Sequence, residues 1–409
     1  MKKIKFITAV ITLLTLSSPL SAQVFFSGAA GGRLNNGFYK NTEEKACADL
    51  TANVFFQSQT GITDNLWLHA DFSMETSNIA NATLFNKTPA FFQFDELSLT
   101  YKSRLDKFTN YIGVYMGAFD VAGSDIFLRR QFGLKNISSK LTDDWLGNNG
   151  KLLYPHFGAG LSETIQFPGN QAAALYLYIN KETTDFSDFM VLNGDLRYAY
   201  ASEYITADCS LGFGGPLKET YKANDVFVVI DTLYLHTGLT LLIGNNYTQS
   251  VFLQAGLANA EYSKKTKKIA VTNKNLYFLL EPRFKTDLMN IHISFFSLTP
   301  RACENMFFVD DTFGFAVNVF DDRTESRNNG LKWGVNTIFS FENCSLVDIK
   351  TPGYISKAQK NLTVNHYGGI RVFGGELNAG LRVNLMYLFQ KEHSFYEGIK
   401  FNVGYRAEF

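Results

Sequence analysis

Cysteine, proline and net charge are all scarce in this chain of 409 residues. Four cysteines (Cys47, Cys209, Cys303, Cys344) are too few for a disulfide scaffold at this length. None stands in a CxxC or Cys/His spacing that would hold zinc. Eight prolines and 32 glycines exclude a Pro-rich or collagen-like fibre. Lys+Arg and Asp+Glu balance at 38 each, so there is no basic excess to neutralise phosphates, and nucleic acid is not an expected partner. Charged residues make up only 19% of the chain, below the roughly 25% of soluble proteins. The six histidines make no metal-ligand spacing, and there is no GxxxxGKS/T phosphate loop, so no metal or cofactor is expected. No segment beyond the N-terminal region offers the 18 or so consecutive apolar residues of a transmembrane helix. What the chain has in quantity is aromatic: Phe 38, Tyr 20 and Trp 3, or 15%. Intrinsic disorder is excluded by that balance.

The first residues read as an export segment. Met1 to Lys5 (MKKIK) is basic, Phe6 to Leu16 (FITAVITLLTL) is apolar, and Ser17 to Ala22 (SSPLSA) supplies small residues and a helix breaker. This three-part pattern predicts a secretory signal peptide over 1–22, cleaved after Ala22. Its apolar run is too short to span a bilayer. An exported chain without a transmembrane helix is periplasmic, secreted or a membrane β-barrel, and the period of the hydrophobic pattern decides between them.

That period is two. Leu66, Leu68, Ala70, Phe72 and Met74 oppose Trp67, His69, Asp71, Ser73 and Glu75; Leu97, Leu99 and Tyr101 alternate with Glu96, Ser98, Thr100 and Lys102. The same alternation recurs over 276–285 and 376–387. These are strands with one apolar and one polar face. Many runs last about ten residues, the length of a tilted membrane strand, where soluble strands average five or six. Connectors alternate between short (Thr60 to Asn65, Ser103 to Lys107, Pro168 to Asn170, Thr286-Asp287, Phe373 to Gly375) and longer (Arg33 to Lys45, Glu261 to Lys274). Short turns on one rim and long loops on the other are what a transmembrane barrel needs.

The final segment is the sharpest feature. Ile399, Phe401, Val403, Tyr405, Ala407 and the terminal Phe409 share one face, with Lys400, Asn402, Arg406 and Glu408 on the other. Here the sequence resembles bacterial outer-membrane β-barrel proteins of the porin kind, whose last strand ends in an aromatic residue behind alternating apolar positions. The resemblance implies an integral outer-membrane location after Sec-type export. It also implies recognition of the last strand, with Tyr405 and Phe409 as the assembly signal, by the β-barrel assembly machinery. Contact with outer-membrane lipid follows from it, and a homotrimer is common among porins.

The predicted architecture is all-β: a single antiparallel transmembrane barrel over 23–409 with short periplasmic turns and long external loops. Eighteen runs can be counted between 24 and 409. The region 299–330 is the least regular, and sixteen strands is the alternative. The run 226–243 changes parity, which predicts a bulge near Asp231-Thr232. Counting up and down, the third external loop spans about 118–157, and a loop of that length is usually functional. In porins this loop enters the lumen. Its apolar residues (Ile126, Phe127, Leu128, Phe132, Leu134, Trp145, Leu146) favour packing on a wall rather than solvation.

If the apolar parity faces lipid, the other parity lines the interior, because charge at lipid depth is costly. The pore-lining candidates are then Arg129, Arg130, Asp143 and Asp144 on the long loop, and Arg197, Arg283, Arg371, Arg382 and Arg406 on the wall. Arg371, Arg382 and Arg406 fall on the last three strands. They form either a basic strip facing acidic loop residues across a constriction or plain pairs with Glu376 and Glu408. A transverse field of the first kind favours small hydrated solutes. His292 and Ser294 share an inward face without a Gly-rich Ser motif or a convincing acidic partner, so no enzyme is expected. Cys303 and Cys344 fall in neighbouring external loops, where an oxidising compartment would permit a disulfide. The expected function is passive diffusion of small hydrophilic solutes through a water-filled barrel. The alternative is a surface-exposed adhesin or a substrate-specific channel.

Overall fold

The computed structural model describes residues 25–409 apart from 43, 82–87, 135–136, 143–155, 184–187, 218–232, 246–247, 264–266, 304–305, 322–329 and 391–392. The signal peptide expected over 1–22 and the bulge expected at Asp231-Thr232 lie outside the described residues.

The strands, in chain order, begin with β1 (Phe25–Lys40), β2 (Ala46–Thr63), β3 (Leu66–Thr76), β4 (Ala90–Leu105), β5 (Phe108–Phe119) and β6 (His156–Phe167). Next come β7 (Gln171–Thr183), β8 (Asp188–Ala201), β9 (Ile205–Leu217), β10 (Leu233–Gly244), β11 (Gln249–Ser263) and β12 (Lys268–Ile269). The series ends with β13 (Leu276–Lys285), β14 (Asn290–Ser297), β15 (Phe313–Asp321), β16 (Lys332–Phe341), β17 (Lys360–Val372), β18 (Gly375–Asn384) and β19 (Ile399–Glu408). The two residues of β12 pair only with β11, so eighteen strands form the wall and the count of sixteen falls away. Each wall strand pairs antiparallel with its neighbours in sequence, and β1 pairs with β19 to close the barrel. At that seam Gly28 and Phe409 exchange both main-chain hydrogen bonds, at 2.9 and 3.0 Å.

Period-two alternation carries through to the register. Leu34, Val54, Met74, Val114, Leu177, Leu211, Phe315, Leu381 and Val403, spread around the wall, all stand exposed on its outer face. A continuous apolar belt of this kind is excluded from water-facing surfaces and suits hydrocarbon. Across the seam and β1–β4 the belt carries a chain of ring contacts: Phe26 stacks on Phe409 (5.3 Å), Phe409 on Phe56 (5.9 Å) and Phe56 on Phe72 (5.1 Å), and Phe72 meets Phe92 at a tilt (5.7 Å).

Two expectations need correction. Arg33 to Lys45 is mostly strand: β1 continues to Lys40, pairing with Ala46 of β2, and only a tight connection remains. The alternation read over 376–387 stops as strand at Asn384, because its side chain accepts a hydrogen bond from the Met386 amide at 3.1 Å and starts a short 3-10 turn over Leu385–Leu388. Within the described part of the run 226–243, a register shift lies between Leu235 and Thr237.

The interior is not uniformly polar. Inward positions on β5–β16 include Tyr115, Tyr176, Tyr178, Phe252, Tyr277, Leu279, Phe296 and Ile338, all buried. They form one apolar cluster with residues of two external loops that fold inward, the third (after β5) and the seventh (after β14).

Candidate functional site

The third loop leaves β5 through two left-handed residues, Gly117 (φ 103) and Asp120 (φ 42). At Gly117 a Cβ would collide with the Asp95 main chain of β4, so only glycine fits the turn inward. A short helix, Ile126–Phe132, follows and is ended by Gly133 in the left-handed conformation, whose N–H donates to the Arg129 carbonyl. Just before the helix, Asp125 is fully buried. Its Oδ2 accepts from the Ile137 amide (2.6 Å), the Ser138 amide (2.7 Å) and the Ser138 hydroxyl (2.7 Å), folding the loop back on itself. Burial pushes the Asp125 carboxyl above its ordinary value despite those three donors.

Apolar burial seats this loop on the wall. Ala122, Phe127, Leu128, Ile137 and Leu141 are each at most 5% exposed and sit among the inward tyrosines and phenylalanines. Charged groups from the wall reach into the same contact. Arg197 of β8 lies over the Phe127 ring at 4.4 Å, donates through Nε to Asp208 at 2.8 Å and also donates to the Asp120 carbonyl. Gln254 of β11 donates to the Gly123 carbonyl at 2.7 Å. Ser139 donates to Glu281, which also accepts from Ser294 (2.6 Å) and pairs with Arg283 (2.9 Å). His292 Nδ1 stands 3.1 Å from the same Glu281. Glu281 is thus the acidic partner that the sequence did not reveal for His292 and Ser294, correcting that expectation, and it is shared with Arg283 and Ser139 beneath the loop.

A second buried group lies nearby. Asp195 is held by His156 Nε2 at 2.8 Å, His236 Nε2 at 2.6 Å and the Tyr178 hydroxyl at 3.0 Å. Gly212 makes this fit, since a Cβ there would strike both Asp195 and His236.

The seventh loop supplies Asp310, which grips Arg382 of β18 through two hydrogen bonds and Lys400 of β19 at 3.1 Å. Burial alone would raise the Asp310 carboxyl, but Arg382 and Lys400 outweigh it and hold it below the usual carboxylate value. Phe308 of the same loop packs on Tyr367 with ring centroids 5.1 Å apart.

Between these two inserted loops and the opposite wall a polar cavity of about 1680 Å³ is left open along β1–β5 and β19. It reaches from Asp49 and Lys400 near the external rim to Lys102 and Tyr111 near the short turns. Charge is sorted on its walls. Lys400, Arg33 and Arg406 stand on β19 and β1, whereas Asp49, Asp71, Glu75 and Glu96 stand on β2–β4, with Lys102 of β4 as the exception near the short turns. The loop contributes Arg129 and Arg130. Arg130 donates to Asp120 at 2.7 Å and to Glu96 at 3.1 Å. Burial would weaken its hold on the proton, but these two carboxylates reverse that and keep the guanidinium charged.

Of the residues singled out in the sequence, Arg129, Arg130, Arg382 and Arg406 line this cavity. Arg197 and Arg283 do not. Both point inward but are buried beneath the third loop, neutralised by Asp208 and Glu281. Arg371 lies outside the cavity lining, beside Gly330 near the short-turn rim. Asp143 and Asp144 lie outside the described residues. The expected field also changes its makeup. Arg382 is met by Asp310 of the seventh loop rather than by acidic groups of the third or by Glu376, which pairs with Lys332 at 2.6 Å. Arg406 does lie near Glu408, at 3.6 Å. Cys303 and Cys344 are free thiols, with the Cys303 sulfur set 3.8 Å from the Asp311 carbonyl, so the expected disulfide is absent. Arg33 and Asp49 escaped notice, and Asp71 and Glu75, placed on the polar face of their strand, were not singled out as pore-lining candidates. For Arg33 the available clue was its odd parity with Ala29 and Gly31, which small residues on both faces made faint.

No protein-family model matches this sequence, and no curated protein matches it. Solved structures do match in shape. OccAB3 of Acinetobacter baumannii superposes with a TM-score of 0.53 at 11% identity, over 94% of this chain and 99% of that one. The outer membrane protein opdK of Pseudomonas aeruginosa gives 0.51 at 11%, over 94% and 98%. The chain has the fold of bacterial outer-membrane porins, an eighteen-stranded antiparallel barrel narrowed from within by its third external loop.

Proposed function

We propose that this protein resides in the bacterial outer membrane and passes small hydrophilic solutes by passive diffusion. One observation carries the reading: a polar cavity follows the lumen wall along β1–β5 from the long-loop rim toward the short-turn rim. Apolar surface faces outward around the same barrel. A barrel of this strand number is wide enough to hold an aqueous channel even after loops narrow it. In this reading the segment 1–22 directs export and is removed. The strand ending in Tyr405 and Phe409 is then presented to the β-barrel assembly machinery, and passage rather than catalysis is the activity. The resemblance to porins further implies a homotrimer, which crosslinking of the refolded protein would report.

Refolded protein in a planar bilayer tests the reading directly. Stable open steps, together with entry of arabinose into proteoliposomes, are the expected result. Electrical silence with no arabinose entry would refute a diffusion channel and favour a plugged or adhesive barrel. A substrate-specific channel is favoured over a general one by the sorting of charge on the two walls of the cavity.

A further inference from the structure

Two charged side chains in the cavity, Arg33 and Glu75, have no ionic or side-chain hydrogen-bond partner among the described residues, and the Arg33 Nε is a buried donor without an acceptor. They are set level with each other. Arg33 of β1 pairs with Asn53 of β2, and Asn53 pairs with Glu75 of β3, so the three stand in one row on the lumen face. The basic side of the row is extended by Arg406, paired across the seam with Gly31, and by Lys400, whose ionic partner among the described residues is Asp310. The acidic side is extended by Asp49 and by Asp71, which accepts from the Gln57 amide at 2.8 Å.

We infer that this row binds zwitterions carrying an ammonium and a carboxylate, namely amino acids and short peptides, on their way through the lumen. The inference rests on the channel reading. Two strand spacings separate the Arg33 and Glu75 columns by about 10 Å. Charge-assisted contacts of about 2.8 Å at each end leave about 4 Å between the charges of the ligand. A free carboxylate faces Arg33, a free ammonium faces Glu75, and Asn53 between them offers a donor and an acceptor to the intervening peptide group. A solute with one charge can satisfy only one side of the row and leaves the other hydrated, and an uncharged sugar satisfies neither.

Entry of labelled diglycine into proteoliposomes tests this against two compounds of the same size and shape. N-propionylglycine lacks the ammonium and glycylglycinamide lacks the carboxylate. Diglycine is expected to enter about threefold faster than either, the factor one solvated ion pair supplies. In Arg33→Gln the advantage over glycylglycinamide disappears; in Glu75→Gln the advantage over N-propionylglycine disappears. The exchanged double variant, Arg33→Glu with Glu75→Arg, keeps the preference because a zwitterion can reverse in the site. Equal rates for all three compounds while arabinose still enters would overturn this inference alone. Loss of the preference in the exchanged variant would overturn it too. Absence of arabinose entry and of conductance would overturn the channel reading and this inference with it.

Discussion

Phe127→Ala probes how the third loop is held in the lumen. Phe127 is 0% exposed and sits in the loop's short helix with the Arg197 guanidinium 4.4 Å from its ring centroid. Truncating a buried phenylalanine costs about 3–5 kcal/mol, from lost transfer energy and the cavity left behind. The lost cation–π contact is contained in that figure, since such contacts contribute about 1–2 kcal/mol when desolvated. Phe127 belongs to the loop and takes no part in a strand ladder, so the cost falls mainly on loop docking rather than on the barrel. A tenfold change in an equilibrium constant corresponds to about 1.4 kcal/mol, so the undocked population should rise by about a hundred- to a few thousandfold. Hydrogen exchange on the detergent-solubilised protein reads this at the Gly133, Ile137 and Ser138 amides, each bonded within the loop. Those amides should exchange faster by that factor while amides of β1–β4 stay unchanged. Channel current should flicker between substates. Phe315→Ala on the outer face, where the ring is half exposed, should leave loop exchange untouched. Unchanged exchange at Ile137 and Ser138 in Phe127→Ala would refute the docking argument, as would equal acceleration throughout the barrel.

Two carboxyls in the loops should respond to acid in opposite directions, and the seam supplies a third test. Asp310 is held below its ordinary value by Arg382 and Lys400. Its contribution to seating the seventh loop is present above about pH 4 and lost as pH falls through its own lower value. With its side chain 46% exposed, solvent screening keeps this contribution to about 1 kcal/mol. Asp310→Asn should show at neutral pH the faster seventh-loop exchange that the parent shows only below about pH 4. Burial raises the Asp125 carboxyl instead. Docking of the third loop should therefore be strongest at or below about pH 4 and weaken as pH rises through Asp125's elevated value. Exchange at Ile137 and Ser138, corrected for intrinsic rates, reports this, and a flat profile would contradict it. Deleting Phe409 removes both main-chain hydrogen bonds to Gly28 and the ring stacked on Phe26. We expect a loss of about 2 kcal/mol in refolded protein but a much larger fall in assembled protein in cells. Equal losses in the two assays would remove the case for Phe409 as an assembly signal.

Much of the architecture was legible because a strand has a period of two and a barrel has only two faces. Leu97, Leu99 and Tyr101 could face only lipid once Glu96, Ser98 and Thr100 faced inward, and the same rule placed Ile399 to Phe409. Counting strands then located the third loop, and its apolar residues pointed to a wall before any wall was visible. Parity says which residues share a face, not what covers that face. Tyr176, Tyr178, Tyr277 and Phe296 lie on the inward parity yet are dry, because a loop distant in sequence lies over them. Arg197 and Arg283 were placed on the correct side and given the wrong neighbour for the same reason. The choice of Asp310 as partner for Arg382, across 72 residues, depends on how the seventh loop folds and leaves no local trace. At Arg33 the failure was of contrast. Gly28, Ala30 and Gly32 occupy the outer positions of β1, and their small side chains make the strand read as a polar connector.

The state of pairing separates the charges that hold this barrel together from those that can act on a solute. On the side filled by the third loop, an inward charge is removed from water and must be matched. Asp195 meets two histidines and a tyrosine, Glu281 meets Arg283 and two serines, and Arg197 meets Asp208. Each of these would be costly to leave alone in a dry site. On the open side that pressure is absent, because lumen water solvates a charge as well as a partner would. Arg33, Asp49, Glu75 and Arg129 therefore stand without ionic partners among the described residues, and in the channel reading a passing ion would exchange only water for them. Neutralising these four as thoroughly as the buried set would add little stability, and in the channel reading it would remove the groups through which one solute could be told from another.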